Sequence, residues 1–193
     1  MGIQGVVLAG GASTRMGQDK AYVELAGRSM LEWVARSLAE VTGDVVAVGR
    51  QKAGDYRAVP DEVPGRGPLS GVVTALRPGN SLIAVAVDQP FVRVETLQAL
   101  RQLGTQQLSQ PAPLPVVPHA DGFAQVTCAF YPANFLDAAA QALGEGGSLR
   151  TALGAFGYEP WTDLPAGEDG RSWFSIDTLD ALEEAQRRFQ PPM

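Results

Sequence analysis

Three glycines, an arginine and a lysine stand in one thirteen-residue string, Leu8-Ala9-Gly10-Gly11-Ala12-Ser13-Thr14-Arg15-Met16-Gly17-Gln18-Asp19-Lys20. Glycines let backbone N–H groups approach phosphate oxygens, and Arg15 and Lys20 add fixed positive charge. The string follows directly on the apolar run Ile3 to Ala9. A continuous apolar run of that kind predicts a buried strand, and open α/β sheets bind ligands beyond the carboxyl ends of their strands. By pattern alone, Gly10-Gly11 equally makes an ordinary turn beside a surface Arg and Lys. Two phosphate-binding motifs do not fit. Gln18 and Asp19 separate Gly17 from Lys20, unlike a P-loop, and Gly10 and Gly11 are adjacent, unlike a dinucleotide fingerprint.

A carboxylate recurs in the same kind of place. Asp88 ends the apolar run Leu82 to Val87 and is followed by Gln89-Pro90. Magnesium takes oxygen ligands, often one or two carboxylates plus substrate phosphates, so Asp88 is a candidate ligand. Asp also begins turns, which is the competing reading. A second acid, Asp61, precedes Pro64-Gly65-Arg66-Gly67-Pro68-Leu69-Ser70-Gly71, a loop leading into a helix. Gly67 to Gly71 would lie at that helix entrance, open to backbone contact with a ligand.

Composition narrows the chemistry. His119 is the only histidine, and no Gly-x-Ser-x-Gly elbow is present, which argues against a Ser-His-Asp hydrolase. His119 reads as a surface residue between Pro118 and Ala120. Cys128 is the only cysteine, so an internal disulfide is excluded and a zinc cage disfavoured. The net charge of −6 disfavours nucleic acid and membrane surfaces as partners, while leaving room for a small basic phosphate pocket. The start of the chain lacks the basic residues of a signal peptide, and no apolar run reaches membrane-spanning length. The expectation is a cytoplasmic protein.

The elements that must position these residues follow from periodicity. Strands are predicted at Ile3 to Ala9, Val45 to Val48 and Leu82 to Val87. Helices are predicted after the capping box Ser29/Glu32, ending at Gly43, then from Leu69 to Leu76 and from Glu95 to Leu103. Strand and helix thus alternate three times in the first hundred residues, the order of a parallel sheet covered on both faces. The second half is less regular. Thr105 to Pro113 reads as an exposed loop. Leu114 to Val117 and Val126 to Tyr131 read as strands joined by a hairpin at Ala120-Asp121-Gly122-Phe123. Phe135 to Leu143 and Leu149 to Phe156 read as helices, Trp173 to Ile176 as a last strand, and Thr178 as the cap of a final helix. The 193 residues are expected to form one domain.

The thirteen-residue string resembles the signature Leu-Ala-Gly-Gly-x-x-x-Arg-Met-Gly-x-Asp-Lys of the molybdenum cofactor guanylyltransferases, within the wider sugar-nucleotide-type transferases. Asp88-Gln89-Pro90 matches their Asp-x-Pro, and Gly67 to Gly71 their Gly-Pro-Leu-Ser/Ala-Gly. Gln125 and Tyr131, Ser148-Leu149-Arg150, and Trp173 to Thr178 match further segments. The resemblance covers Val6 to about Ala185. It implies a three-layer α/β/α domain with a doubly wound, mostly parallel, Rossmann-like sheet. It further implies GTP and molybdopterin as substrates: GMP passes to the terminal phosphate of molybdopterin and pyrophosphate leaves. Gly10, Gly11, Arg15 and Lys20 would then hold phosphates, and Leu8 and Ala9 would lie beside the base. Asp61 would help read guanine, and Asp88 would bind catalytic Mg2+. Molybdoenzymes or other cofactor-biosynthesis proteins would be partners by analogy.

The chain also departs from the pattern. Ser175 and Asp177 stand where guanylyltransferases usually have Asn, and Asp-x-Asp-Thr is commoner in neighbouring cytidylyltransferases. Some members also carry an Asn within Ala47 to Gly49. A molybdopterin cytidylyltransferase is therefore the alternative, with a non-catalytic nucleotide-binding protein on the same fold behind it. Asp177 reads either as a second magnesium-side ligand or as a charge at the start of the last helix. Tyr131 or Trp173 could stack on a pterin; the other aromatics read as core.

Overall fold

The computed structural model describes residues 2–11, 19–165 and 170–188. The first strand, β1 (Ile3–Leu8), has Val6 and Val7 fully buried. A two-residue hairpin follows, β2 (Glu24–Leu25) with β3 (Arg28–Ser29), turning through Ala26 and Gly27 at φ 50° and 80°. Helix α1 (Met30–Thr42) starts at the expected capping box: the Ser29 hydroxyl accepts from Glu32 N–H, and the Glu32 carboxylate accepts from Ser29 N–H. Gly43 ends it at φ 76°, where a side chain would be strained. Then come β4 (Val45–Val48), β5 (Arg57–Val59), α2 (Gly67–Leu76), β6 (Ser81–Ala86) and α3 (Val94–Gln107). The remainder is β7 (Val116–Ala120), β8 (Phe123–Ala124), β9 (Cys128–Tyr131), α4 (Leu136–Gly144), α5 (Leu149–Phe156), β10 (Glu159–Trp161) and α6 (Leu179–Arg188).

The main sheet runs β10-β7-β9-β6-β1-β4-β5, with β8 paired to β7. β1 pairs in parallel with β4 and β6, and β4 with β5. Only β9 runs against β6 and β7 within this path. Successive residues of β1 face opposite sides of the sheet, as strand geometry demands. Val6 and Leu8 join the core under α2, α4 and α5, whereas Val7 joins the core under α1 and α3. That double coverage is why β1, β4 and β6 are almost wholly apolar. The doubly wound, mostly parallel α/β sandwich expected from the sequence is the observed architecture.

Three local expectations need correction. Helix α3 runs on to Gln107, so Thr105 is not in a loop. Its Gln- and Thr-rich turns are a solvated helix face, which polarity alone does not distinguish from a loop. Residues 173–176 form no strand. A short 3-10 turn, Arg171–Trp173, leads into an extended strap tied just beyond the end of β6 by a bond from Ile176 N–H to the Asp88 carbonyl at 2.8 Å. Ile176 is fully buried beside Phe91 and Met30, so the apolar pattern reports side-chain packing rather than strand pairing. The strand expected at Leu114 to Val117 lies at Val116–Ala120. The hairpin after it is present: Ala120 pairs with Phe123 across Asp121 and Gly122, at φ 51° and 79°. Strands β5 and β10, three residues each, carry too little pattern to be read in advance.

Candidate active site

From β1 the chain crosses to β4 on one side, and from β5 it returns through α2 to β6 on the other. Such a reversal of strand order opens a crevice beyond the carboxyl ends of the two central strands. A cleft of about 300 Å³ lies there, bordered by Gly10, Lys20, Asp61, Gly67, Asp88 and Trp173.

One end of the cleft is built by close backbone approach. A Cβ on Gly49 would lie 2.3 Å from the Gly10 Cα, and Gly49 has φ 91°, so only glycine fits. A Cβ on Gly10 would lie 2.6 Å from Asp61 Oδ2, and one on Gly71 2.9 Å from the Leu8 side chain. These absences leave room beside the Asp61 carboxylate. Its Oδ1 is buried and has no hydrogen-bond partner among the described residues. Burial accordingly pushes the Asp61 carboxyl above its ordinary range. An orphaned acceptor of this kind suits a ligand that brings N–H donors.

The other end is charged. Lys20, in the 3-10 turn Lys20–Tyr22, lies 3.5 Å from Asp88 Oδ2 and also pairs with the Asp177 carboxylate. Burial raises the Asp88 pKa, against the pull of the Lys20 charge and with the push of Asp177. Asp177 goes the other way: desolvation opposes ionisation, but hydrogen bonding and charge from Lys20 hold it below its ordinary value. Two carboxylates and one ammonium leave a formal charge of −1. Among the described residues no cluster of three potential metal ligands occurs, yet magnesium commonly takes only one or two protein carboxylates, which Asp88, with Asp177 beside it across Lys20, can supply, and completes its shell with water and phosphate oxygens. The donor set therefore fits that metal. The ammonium suits phosphate oxygens as a compact point charge.

Of the residues picked out in the sequence, Leu8, Ala9, Gly10, Gly11, Lys20, Asp61 and Asp88 all border this one cleft. Arg15 lies outside the described residues. Asp177 joins the charged end through Lys20, and its neighbour Ser175 also borders the cleft. Gln125 and Trp173 border it as well. Tyr131 does not: it is fully buried, stacks on Phe135 at 5.3 Å and donates to the Val126 carbonyl at 2.6 Å. It is a core residue, unavailable to a pterin. Arg150 donates to the Ala124 carbonyl, and Ser148 caps α5. His119 is half-buried and stacks against Tyr158, rather than standing free at the surface. The residue missed in the sequence is Arg50, whose Nε donates to the Ala9 carbonyl at 3.0 Å. Its signal was its place, directly after the glycine that follows β4.

A family model described as the MobA-like NTP transferase domain matches residues 5–159. This chain belongs to that family. The transferase is 31% identical to a protein of Natronomonas pharaonis named "Probable molybdenum cofactor guanylyltransferase", over 95% of this chain and 96% of the relative. It is 36% identical to a protein of the same name from Bacillus licheniformis, over 65% of this chain and 66% of that one. Its fold matches the crystal structure of molybdopterin-guanine dinucleotide biosynthesis protein A from Archaeoglobus fulgidus with a TM-score of 0.81 and 25% identity, covering 96% of this chain and 97% of the other. A nucleotidyltransferase, in other words, carries the cleft described above.

Proposed function

We propose that this transferase moves GMP from GTP to the terminal phosphate of molybdopterin and releases pyrophosphate. The observation that carries the reading is the unpartnered Asp61 Oδ1 at one end of a cleft whose other end holds Lys20 and Asp88. Guanine offers its N1–H and amino group to a carboxylate. Cytosine offers an amino group beside an acceptor nitrogen, which repels the second carboxylate oxygen. Asp61 thus favours GTP over CTP.

A phosphate oxygen of molybdopterin attacks the α-phosphorus of GTP. The bond from that phosphorus to the oxygen bridging the β-phosphate breaks, and pyrophosphate leaves with the electron pair. The nucleophile is already ionised, because a phosphate monoester has its second pKa near 6. No histidine base is needed, and His119 has no part in the site. Lys20 leaves its carboxylate partners to neutralise charge on the departing pyrophosphate, assisted by Arg15, and Gly10 and Gly11 offer N–H groups to the phosphates. Magnesium, held by Asp88 with Asp177 beside it, supplies charge neutralisation when bound. Catalysis rests on positioning and electrostatics.

The reading extends to a cytoplasmic setting and to molybdoenzymes or other cofactor-biosynthesis proteins as recipients of the product. Turnover of molybdopterin with each of the four nucleoside triphosphates tests it. Preference for GTP is expected. Equal or greater turnover with CTP would replace it with the cytidylyl reading, and absence of pyrophosphate release above a blank would remove catalysis altogether.

A further inference from the structure

We propose that Arg50 is a positioning residue for nucleotidyl transfer, acting through Asp19 on Lys20. The inference rests on the reading of Lys20 given above and adds a residue that does not itself touch the phosphates. Arg50 stands two residues beyond β4, and its side chain is 11% exposed. Its Nε donates to the Ala9 carbonyl at 3.0 Å, and its Nη2 pairs with the Asp19 carboxylate. The Tyr22 ring lies under the guanidinium, 5.0 Å from centroid to Cζ, and the Tyr22 hydroxyl donates to the Lys52 carbonyl.

One guanidinium therefore bonds the residue before Gly10-Gly11 and the residue before Lys20. The second bond matters most. Asp19 Oδ1 also accepts the Ala21 N–H at 3.1 Å, capping the turn that carries Lys20. Ala21 is fully buried and fixes the far side of that turn. Lys20 thus leaves a backbone pinned at Asp19 by Arg50 and at Ala21 by the core, which aims its ammonium between Asp88 and Asp177. An ion pair whose acidic partner is 45% exposed adds little to stability, so its use lies in placement. The planar fork of arginine can serve Ala9 and Asp19 together, which an ammonium on a flexible stem does poorly.

A double-mutant cycle with Lys20→Ala tests the assignment, read as GTP-dependent pyrophosphate release with molybdopterin and accompanied by melting curves. Arg50→Ala is expected to lower kcat about 10- to 100-fold, the usual cost of losing an orienting partner. In the Lys20→Ala background the same change should cost no more than about twofold, the scatter of uncoupled sites. Arg50→Lys should recover only part of the rate. Asp19→Asn, which keeps a capping oxygen but loses the ion pair, should reproduce the coupling and serves in place of Arg50→Ala if that variant does not fold. Equal losses in both backgrounds, or no loss from Arg50→Ala, would overturn the positioning role. Near wild-type turnover by Lys20→Ala alone would overturn the reading of Lys20, and the role of Arg50 with it.

Discussion

Lys20 and Asp177, 157 positions apart in the chain, meet as an ion pair at the carboxyl edge of the sheet. The strap that carries Asp177 is tied there by the bond from Ile176 N–H to the Asp88 carbonyl. That backbone contact helps to bring both carboxylates to the charged end. Reversing either charge relation has consequences that can be measured.

Asp88→Asn is expected to abolish turnover while leaving the melting temperature near that of the wild type. The amide keeps an oxygen but loses the charge that would hold magnesium beside phosphate. Asp177→Asn, which leaves the Asp88 carboxylate in place, should raise the magnesium requirement and spare turnover at saturating metal. Titrating magnesium against rate for both variants checks this. Wild-type turnover by Asp88→Asn at limiting magnesium would refute the assignment.

Asp61→Ala should erode the preference for GTP over CTP more than it weakens triphosphate binding. A hydrogen bond from the base to a charged acceptor is worth on the order of 1.5–3 kcal/mol, roughly tenfold or more in discrimination. The same carboxylate carries a pH signature. A carboxyl whose folded pKa lies above its unfolded one favours folding below the unfolded pKa, and that contribution is lost as pH rises through the folded value. Asp61 is raised by burial, so at neutral pH Asp61→Asn should melt no lower than the wild type. Guanine preference in the wild type should fall as pH drops through that raised value, since the protonated carboxyl loses an acceptor. Equal losses for GTP and CTP on mutation would show that Asp61 does not read the base.

Lys20→Ala and Arg15→Ala should each slow catalysis by about 10²-fold or more. Removing one preorganised donor from developing charge typically costs about 10²–10³ in rate. Lys20→Arg should rescue only partly, because a planar, bulkier head replaces a compact charge. Steady-state kinetics with melting curves alongside decide it. Rates within about threefold of wild type for both alanine variants would leave only the 0–1 kcal/mol expected of surface ion pairs.

Gly49→Ala should destabilise the fold by about 2 kcal/mol or more and abolish nucleotide binding. A Cβ there would sit 2.3 Å from the Gly10 Cα, so backbone must move, on top of the strain of φ 91°. Gly54→Ala is the control: its φ of 60° is strained too, but a Cβ meets nothing within 4 Å. It should cost about 1–2 kcal/mol, the left-handed penalty alone, with binding intact. Chemical denaturation and GTP titration of the pair separate clash from strain, and equal effects would mean that Gly10 does not need Gly49 beneath it.

The chain's own pattern already determined which residues could do chemistry and on which edge they stand. Gly10, Gly11 and Asp88 follow uninterrupted apolar runs, and such runs make central strands whose carboxyl ends face ligands. Ser29 and Glu32 announced α1 because a capping box is a contact across three residues. Tertiary structure alone decided the rest. Tyr131 and Trp173 look alike as candidates in the sequence, yet one is sealed against Phe135 and the other borders the cleft. Asp177 could have served only its own helix, and Arg50 carried no motif at all. Both were drawn in because β4 and β6 flank β1, bringing Gly49, Asp61 and the 174–177 strap to the ends of strands far from them in sequence. Strand order is settled by how whole apolar faces pack against helices on both sides, and no local pattern of residues encodes which distant partner will be brought alongside.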